Sequence, residues 1–363
     1  MTGPDSRVSA ALRRRFAGEL GARFGSGWGD AFAAVPRHIF VPRFYAQADE
    51  GSWRAVSCGD PGYLETVYSN QALTTQLDEQ GIPTSSSSEP ALMLDMLDAL
   101  DAREGDTVFE LGTGTGYNAA LLSHRLGDDS VTSVDVDPVL VEAAVHRLEE
   151  AGYRPFVTSG DGARGWPQRA PYSRIIATAA LRALPAAFLA QAATGAVIVA
   201  PIGYGVLRAT VTAPGHATGR FLPTPAHFMP RRTPTVAPAF DALRSVEPTD
   251  TKVAAGNVLD RLRFPLSIAL AGHNSCSWRD DDGELTAVGL WTQEGSTATA
   301  HVSGAVRQIG PRRLWDVVED LAAVFDGVPL RDEFHVTITP GRQTVSYSVS
   351  GGPSWELLGG STP

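Results

Sequence analysis

The chain of 363 residues has few of the features that mark several classes of protein. Its two cysteines, Cys58 and Cys276, exclude a disulfide framework and a cysteine-built zinc site, and we predict no bound metal. No apolar run reaches the roughly 18 residues that span a bilayer, and the N-terminus has no apolar signal-peptide core. These absences predict a cytoplasmic protein that does not bind a membrane.

Basic charge is scarce as well. The 30 basic and 40 acidic residues give a formal net charge of −10, and lysine occurs once, at Lys252. Nucleic-acid binding requires a clustered basic surface, whereas the basic runs here are as short as those at 13–15 and 231–232. We therefore predict no nucleic-acid partner. Apolar residues make up 43% of the chain, and its length favours two globular domains. We expect the protein to be a monomer.

The most informative stretch is VFELGTGTGYNAALL, residues 108–122. An apolar run passes a carboxylate and three alternating glycines and then continues as an apolar-periodic helix, which is the opening of a nucleotide-type α/β unit. Gly112, Gly114 and Gly116 are spaced two and two, unlike the dinucleotide fingerprint, and the lysine of a P-loop is absent. The glycines allow close approach of a ligand, and Glu110 favours a cationic small molecule over a pyrophosphate.

Strands and helices alternate after this stretch. Strands are predicted over 130–136, 156–159, 172–178, 196–201 and 206–213 and around Phe221, with helices over 91–100, 138–151 and 185–193. This order predicts an α/β protein with a Rossmann-like, doubly wound, mostly parallel sheet, whose ligand lies at the carboxyl ends of the strands. Glu110, Asp135 and Asp161 fall at three such ends. Asp135 lies where a carboxylate can accept hydrogen bonds from two ribose hydroxyls.

The N-terminal region gives a weaker pattern. Apolar spacing predicts a helix over 6–34 with a cap at Ser6 or Ser9, and the prolines at both ends of 35–42 predict an extended segment. Residues 43–81 show no clear period. The serines at 85–88 stand before Pro90 and the helix over 91–100, so we interpret them as a loop and a helix cap.

The C-terminal part has a different composition. A proline-rich linker is predicted over 223–240, followed by a smaller α+β domain over 241–363. Period-two alternation predicts strands over 262–271, 285–291, 297–308 and 334–349, with a hairpin turn at Pro340–Gly341. A helix after Pro311 carries four apolar residues on one face: Leu314, Val318, Leu321 and Phe325. The other predicted divisions are an N-terminal helical and substrate-cleft region, 1–90, and a cofactor-binding core, 91–222.

Seven motifs in order resemble the protein-L-isoaspartate O-methyltransferase family, whose members are class I S-adenosylmethionine-dependent methyltransferases. No single one of them is specific, but the ordered set is. The motifs span about residues 35–205: VPRHIFVP (35–42), Thr84 with SerGluPro (88–90), ELGTGTGYNAALL (110–122), SVDVDP (133–138), GDGARGW (160–166), PYSRIIATAA (171–180) and AVIVAPIG (196–203).

The resemblance implies a cofactor, a substrate and residue roles. The methyl donor is S-adenosylmethionine, the product S-adenosylhomocysteine, and the substrate a peptide or protein that carries aspartate or isoaspartate. Ser88 and Thr178 are the implied catalytic residues. The implied substrate cleft contains Pro36, Arg37, His38, Val41, Ser86, Ser87, Glu89 and Ala179. The implied cofactor site contains Glu110, Gly112, Thr113, Gly114, Gly116, Asn118, Asp135, Val136, Gly160, Asp161 and Gly162.

Two of these residues also have a plain structural interpretation. Asp161 between two glycines is typical of a turn former, and His38 is more typical of a packed, hydrogen-bonded histidine than of a base. A base is not required for a carboxyl acceptor, because an aspartyl side chain with a pKa of about 4 is already ionised at neutral pH. The absence of the Asn-Pro-Pro-aromatic loop of nitrogen methylation also favours a carboxyl acceptor.

Two departures bear on the substrate. Glu89 replaces the family's usual glutamine, and the chain continues to Pro363 beyond the usual end of a repair enzyme. This architecture resembles actinobacterial relatives that accompany ribosomally made peptide natural products. The leading hypothesis is therefore methylation of an aspartyl side chain in a cyclised peptide, followed by methanol loss to an aspartimide (succinimide) or isoaspartate, with 241–363 recognising the peptide. The alternatives are repair of isoaspartyl residues in damaged proteins and a catalytically inactive binding module.

Overall fold

The computed structural model describes residues 6–24, 27–48, 51–229, 237–348 and 352–357. The chain forms two compact units. The first comprises the chain up to Ala179 with Pro185–Ala200 and Arg208–Ala217, and the second comprises Ala180–Leu184, Pro201–Leu207 and the chain from Thr218 onwards. The boundary predicted at residue 90 lies inside the first unit. Residues 230–236 of the predicted linker lie outside the described residues.

The first unit begins with three helices: α1 (Arg7–Phe24), α2 (Gly29–Ala34) and α3 (Arg37–Phe40). The single helix predicted over 6–34 is thus two helices. Ser6 caps the first of them, since its hydroxyl accepts a hydrogen bond of 3.1 Å from the backbone N–H of Ser9.

Helix α3 corrects the extended segment predicted over 35–42. A proline restricts the residue before it and leaves the residues after it free. Val35, before Pro36, is extended with φ −81° and ψ 118°, and Val41, before Pro42, has φ −127° and ψ 61°. The four residues between Pro36 and Val41 have no such restriction, and they form one helical turn.

The stretch without a clear period, together with the serine run, forms a four-stranded antiparallel sheet in the order β2-β1-β3-β4. Its elements are β1 (Arg43–Gln47), β2 (Trp53–Ser57), α4 (Tyr63–Val67), β3 (Leu73–Leu77) and β4 (Pro83–Ser87). Phe44, Val56 and Leu73 from three strands pack together on its buried face. The loop and cap predicted for 85–88 are corrected, because Ser85 and Ser87 are buried residues of a paired strand.

The remainder of the first unit is the predicted doubly wound sheet. The elements are α5 (Pro90–Leu100), β5 (Val108–Leu111), α6 (Tyr117–Leu126), β6 (Val131–Asp135), α7 (Pro138–Glu150), β7 (Phe156–Ser159), β8 (Tyr172–Ala177), α8 (Ala186–Gln191), β9 (Ala192–Ile202) and β10 (Gly205–Ala213), followed by β11 (His216–Pro225). The strand order is β10-β9-β8-β5-β6-β7, and the pairs β9/β8, β8/β5, β5/β6 and β6/β7 are parallel. The predicted fold class is confirmed.

Burial explains why this sheet forms. All four residues of β5 and the first four of β6 are buried, as expected of parallel strands covered on both faces. Helix α7 begins at Pro138, and the Asp137 carboxylate before it accepts a hydrogen bond of 2.9 Å from the backbone N–H of Val139. The strands therefore end abruptly at one edge, where short turns lead into helices.

The second unit is rich in antiparallel strands. Its elements are β12 (Thr249–Asp250), α9 (Arg263–Ala269), β13 (Asn274–Arg279), β14 (Leu285–Trp291), β15 (Thr297–His301), β16 (Ala305–Ile309), α10 (Leu314–Val324), β17 (Phe334–Thr339), β18 (Arg342–Tyr347) and β19 (Ser354–Glu356). One sheet has the order β12-β16-β15-β14-β13. Strands β17 and β18 form the predicted hairpin, in which Thr339 pairs with Arg342 around Pro340–Gly341.

Helix α9 corrects the strand predicted over 262–271. Apolar and other residues alternate there, but Pro265 has no N–H to donate to a neighbouring strand and is tolerated in the first turn of a helix. Five consecutive residues of the helix, 264–268, are buried, including Pro265 and Ser267, so the burial does not follow the period of two that a strand would show. In the described part of the chain no helix has the length and apolarity to cross a bilayer.

Candidate active site

The glycine turn after β5 adopts a backbone that other residues disfavour. Gly112, Gly114 and Gly116 have φ of 97°, 52° and 88°, in the left-handed region where glycine has no steric cost. The turn is also tightly enclosed. A Cβ on Gly112 would lie 2.5 Å from the Thr178 hydroxyl, and one on Gly116 would lie 3.2 Å from the Cβ of Ala144. The backbone therefore approaches its surroundings as only glycine allows.

Asp135, the last residue of β6, ties the second strand end to this turn. Its Oδ2 accepts a hydrogen bond of 2.9 Å from the backbone N–H of Gly114, and its Oδ1 accepts one of 3.1 Å from that of Asp137. Gly160, just after β7, donates its N–H to the carbonyl of Asp135 at 2.8 Å. Three predicted cofactor residues from three adjacent strand ends are thus joined directly.

Glu110 is fully buried at the centre of this edge. Asn118 Nδ2 donates to its Oε1 at 2.7 Å, and the Ser133 hydroxyl donates to its Oε2 at 2.5 Å. The Ser133 oxygen also lies 2.6 Å from that of Thr113. Burial raises the pKa of Glu110 to about 7, against the two hydrogen bonds, which lower it. A cation bound nearby would lower this pKa, so the Glu110 carboxyl would be ionised when a cationic ligand is present.

The residues present fit S-adenosylmethionine. Asn118 Oδ1 is buried and has no hydrogen-bond partner within the described residues, although the Nδ2 of the same side chain is bonded to Glu110. A buried acceptor left without a donor costs about 1–3 kcal/mol, so the site is incomplete without a donor group. An ammonium group would satisfy this oxygen and lie near the Glu110 carboxylate, and the methionine part of the cofactor carries one.

Cofactor binding is expected to depend on pH through Glu110. Below pH 7 the carboxyl is mostly protonated, and a cationic ligand has to displace that proton. With a pKa of about 7, wild-type affinity for S-adenosylmethionine should fall about tenfold from pH 8 to pH 6, beyond any change in Glu110→Gln. Titration calorimetry at both pH values measures this. The ligand's own titration affects both proteins alike, and equal pH dependence in the two would contradict the assignment.

The third strand end contributes Asp161 and its neighbour. Asp161 Oδ1 accepts a hydrogen bond of 3.0 Å from the backbone N–H of Ala163, which is the geometry of the turn former considered above. A Cβ on Gly162 would lie 2.8 Å from the Cγ of Leu111, so this glycine permits close packing of the turn on β5. Val136 is 54% exposed and provides an apolar surface next to Asp135. The cofactor roles of these residues stay predictions.

The two predicted catalytic residues differ in what their hydroxyls do. Thr178 donates to the carbonyl of Gly112 at 2.6 Å and lies 3.2 Å from that of Leu111, so it holds the glycine turn. We assign Thr178 as a positioning residue. Ser88 is half-buried after β4, and its hydroxyl has no hydrogen-bond partner among the described residues. Ala179 is also half-buried, beside Thr178.

Arg37 differs most from its predicted role as a substrate contact. It is fully buried, and its guanidinium donates at 2.9–3.4 Å to the carbonyls of Val67, Ser69, Gln71, Ser87 and Ser88 and to the Ser87 hydroxyl. Burial lowers its pKa to about 10, which leaves it charged at neutral pH. The predicted substrate contact is therefore corrected, because all the donors of the Arg37 side chain bond to the protein's own oxygens and none is left for a ligand.

The other residues predicted from VPRHIFVP are mainly structural too. His38 Nδ1 lies 2.7 Å from the Tyr68 hydroxyl, and the histidine is only 7% exposed, which agrees with the packed interpretation. Val41 belongs to the apolar core of the N-terminal sheet. Pro36 is half-buried before α3. The motif packs against β4, which carries the serines and is called the serine strand below. Arg37, His38 and Val41 do not lie at an open surface.

Sequence reasoning missed Asn70, which organises the entrance to α5. Its Oδ1 accepts a hydrogen bond of 2.8 Å from the backbone N–H of Ala91, and its Nδ2 donates to Glu89 Oε1 at 2.7 Å. The helix is thus capped by a residue 21 positions away rather than by the serines. Ser133 was missed as well, since a serine inside a buried strand carries no local signal of its bond to Glu110.

Comparison with known proteins agrees with this geometry. The family model described as Protein-L-isoaspartate(D-aspartate) O-methyltransferase (PCMT) matches residues 28–213. A protein-L-isoaspartate O-methyltransferase of Ignicoccus hospitalis is 38% identical over 143 residues, which cover 38% of this chain and 68% of the relative. One of Gloeobacter violaceus is 34% identical over 174 residues, 48% of this chain and 72% of the relative.

A solved structure titled protein-L-isoaspartate O-methyltransferase shares the fold over most of the chain. It is 18% identical with a TM-score of 0.55, and the match covers 93% of this chain and 100% of that one. The shared fold therefore extends into the C-terminal continuation of this chain. The chain belongs to the protein-L-isoaspartate O-methyltransferase (PCMT) family.

Proposed function

We propose that this S-adenosylmethionine-dependent methyltransferase methylates the free carboxylate of an isoaspartyl residue in a peptide or protein. The family match supports this substrate class more than it supports the aspartyl natural product. One structural observation supports the assignment of the glycine turn to the methyl donor and of the serine strand to the methyl acceptor. A Cβ on Gly114 would lie 3.8 Å from both the Ser85 hydroxyl and the Ser86 carbonyl, so the cofactor turn and the serine strand lie next to each other.

The arrangement suits a carboxylate acceptor. S-adenosylmethionine supplies a methyl group on a positively charged sulfur. A carboxylate oxygen forms the new O–CH3 bond as the S–CH3 bond breaks, the sulfonium becomes a neutral thioether, and no proton has to move. The hydroxyl of Thr178 and the ring of His38 are accordingly committed to the protein's own groups. The task left to the serine strand is to hold the carboxylate in line, with Ser88 offering its hydroxyl.

A second candidate is the aspartyl side chain of a constrained, ribosomally made peptide, with the methyl ester closing to an aspartimide. The observation that favours it is Glu89, an acid held by Asn70 at the start of α5, where the family usually has glutamine. Under this proposal residues 241–363 recognise the peptide. Trp315 of that region is buried and Trp355 stacks on Phe325 and Phe334, which assigns both to packing.

Matched peptides separate the two candidates. S-adenosylmethionine is supplied with three versions of one sequence: linear isoaspartyl, linear aspartyl and macrocyclic aspartyl. Mass spectrometry follows methyl gain and the later loss of methanol. We expect methylation of the linear isoaspartyl peptide, and modification of the macrocycle alone would replace the proposed function with the second candidate. No methylation of any peptide, together with no cofactor binding, would support the inactive binding module.

A further inference from the structure

Gln76 joins the serine strand to the cofactor side of the site. It lies in β3, and its side-chain amide forms hydrogen bonds in two directions. Its Oε1 accepts a hydrogen bond of 2.8 Å from the Thr84 hydroxyl on β4, and its Nε2 donates one of 3.1 Å to Asp137 Oδ2. Because an ionised carboxylate only accepts hydrogen bonds, the nitrogen of the amide has to face Asp137. One side chain thus holds both the serine strand and the turn that follows β6.

The hydrogen bonds continue from Asp137 to the glycine turn. The backbone N–H of Asp137 donates to Asp135 Oδ1 at 3.1 Å, and Asp135 Oδ2 accepts from the backbone N–H of Gly114 at 2.9 Å. Asp137 is only 8% exposed, and its Oδ1 caps α7 while its Oδ2 accepts from Gln76, so both oxygens of this carboxylate are held. An unbroken series of hydrogen bonds therefore connects the serine strand to the glycine turn.

The pairing of β3 with β4 is irregular at Gln76. Gln76 pairs with Ser85, but the register shifts on both sides of this pair, so Thr75 on β3 and Thr84 on β4 each stand outside the pairing. Such β-bulges redirect side chains and are common next to active sites. The residue that connects the two sides of the site is therefore flanked by both register shifts of the hairpin.

Methyl transfer depends on the distance between the two sides that Gln76 joins. The carboxylate oxygen and the methyl carbon have to lie in line and close to contact, and a misplacement of about 1 Å can cost about 100-fold in rate. Under the proposed function the serine strand holds the acceptor, and Asp135 accepts hydrogen bonds from the ribose of the donor. Each Asp135 oxygen already accepts one backbone N–H, and a carboxylate has about four acceptor sites, which leaves room for two hydroxyls.

We propose that Gln76 is a positioning residue for methyl transfer, which sets the distance between the serine strand and the cofactor. It acts through Thr84 on the acceptor side and through Asp137 and Asp135 on the donor side. The inference rests on the proposed function, because it requires the serine strand to hold the acceptor and Asp135 to hold the donor. Loss of the bond between Gln76 and Asp137 should therefore lower kcat, with smaller changes in the peptide KM and in the affinity for S-adenosylmethionine.

Exchanging the donor and the acceptor between Gln76 and Asp137 tests this proposal. Gln76→Glu places a carboxylate where the amide lies 3.1 Å from Asp137. The repulsion displaces the hairpin and should lower kcat about 30-fold. Asp137→Asn alone should cost less, because the Gln76 amide can turn round and accept a hydrogen bond from the new amide. The double variant again sets a donor opposite an acceptor, so kcat should return to within about threefold of the wild type.

Gln80→Glu is the matched control. Gln80 is exposed in the turn between β3 and β4, so the same change of charge occurs in the same hairpin, without a side-chain partner among the described residues. Its kcat should equal that of the wild type. A wild-type kcat in Gln76→Glu, a loss that the double variant does not recover, or an equal loss in Gln80→Glu would overturn the proposal.

Amide hydrogen exchange separates this proposal from the proposed function. S-adenosylhomocysteine should slow the exchange of residues 73–87 about tenfold in the wild type, because a ligand that fixes Asp135 also stabilises the bonds that lead to β3. The slowing should be absent in Gln76→Glu and return in the double variant. If no peptide is methylated, the proposed function fails, whereas this comparison still tests the connection through Gln76. Equal effects of the ligand on the wild type and on Gln76→Glu would refute that connection.

Discussion

Gly112→Ala is expected to lower kcat/KM for methyl transfer by about 100-fold or more and to weaken S-adenosylmethionine binding. Alanine at φ 97° is strained, and such backbone conformations cost of order 1–3 kcal/mol. Its Cβ would also meet the Thr178 hydroxyl at 2.5 Å, so the turn or β8 has to shift. The strain lowers the free energy of unfolding, whereas the displacement weakens binding of the cofactor and of the transition state. Because each 1.36 kcal/mol is about tenfold in rate, a loss of about 3 kcal/mol of such binding accounts for the expected effect.

Gly127→Ala is the matched control. Gly127 has φ 85°, close to that of Gly112, but a Cβ there would meet nothing within 4 Å. It should lower the free energy of unfolding by about 1–3 kcal/mol and leave kcat/KM unchanged. Thermal unfolding and initial rates on both variants provide the comparison. Similar activities for Gly112→Ala and Gly127→Ala would show that the enclosure of the glycine turn has no part in catalysis.

Arg37→Ala is expected to lower the free energy of unfolding by about 3–5 kcal/mol, since it leaves several buried carbonyls without a donor and hydrogen bonds to charged groups contribute about 1.5–3 kcal/mol each. Any protein that remains folded should bind S-adenosylmethionine with near wild-type affinity but show a raised peptide KM, because the guanidinium donates hydrogen bonds to the serine strand and none to the glycine turn. Denaturant unfolding and calorimetry measure the two quantities.

Arg208→Ala controls for the loss of an arginine. Arg208 is half-buried, and its Nε donates to the carbonyl of Ala99 at 2.8 Å. We expect it to cost about 1 kcal/mol. Arg37→Lys should recover only part of the stability, since an ammonium cannot reproduce the planar fork of five donors. A loss of less than about 1 kcal/mol in Arg37→Ala would show that water replaces the guanidinium and that the residue does not position the strand.

The cofactor half of the site could be predicted because its signals are local. Glu110 and the three glycines fall within seven consecutive residues, Asp135 ends a strand with a clear apolar run, and Asp161 lies two residues after the short strand β7. Parallel strands with short turns bring such ends to one edge whatever the rest of the chain does. The sequence therefore indicated that the ends of these strands lie close together. It did not indicate that Asp135 accepts a hydrogen bond from Gly114 or that Ser133 donates one to Glu110.

The acceptor half could not be predicted in the same way. Strands β1, β2 and β3 are short and half-polar, and their stability comes from the pairing of residues such as Phe44 with Val56, which no local period reveals. Arg37 was assigned to the cleft because it stands in a family motif, yet its burial depends on carbonyls 30 to 51 residues away. Residues 262–271 show the converse case, in which a local alternation was overruled by one proline.

The bonds of Arg37 also have a kinetic consequence. Its donors meet carbonyls that lie 30 to 51 residues further along the chain, so none of them forms until that whole length of chain has closed. Long-range contacts of this kind form late, because loop-closure entropy must be lost first. Helix α3, the segment before β3 and strand β4 should consequently become ordered in one step. The proposed acceptor side of the site would then exist only as a whole.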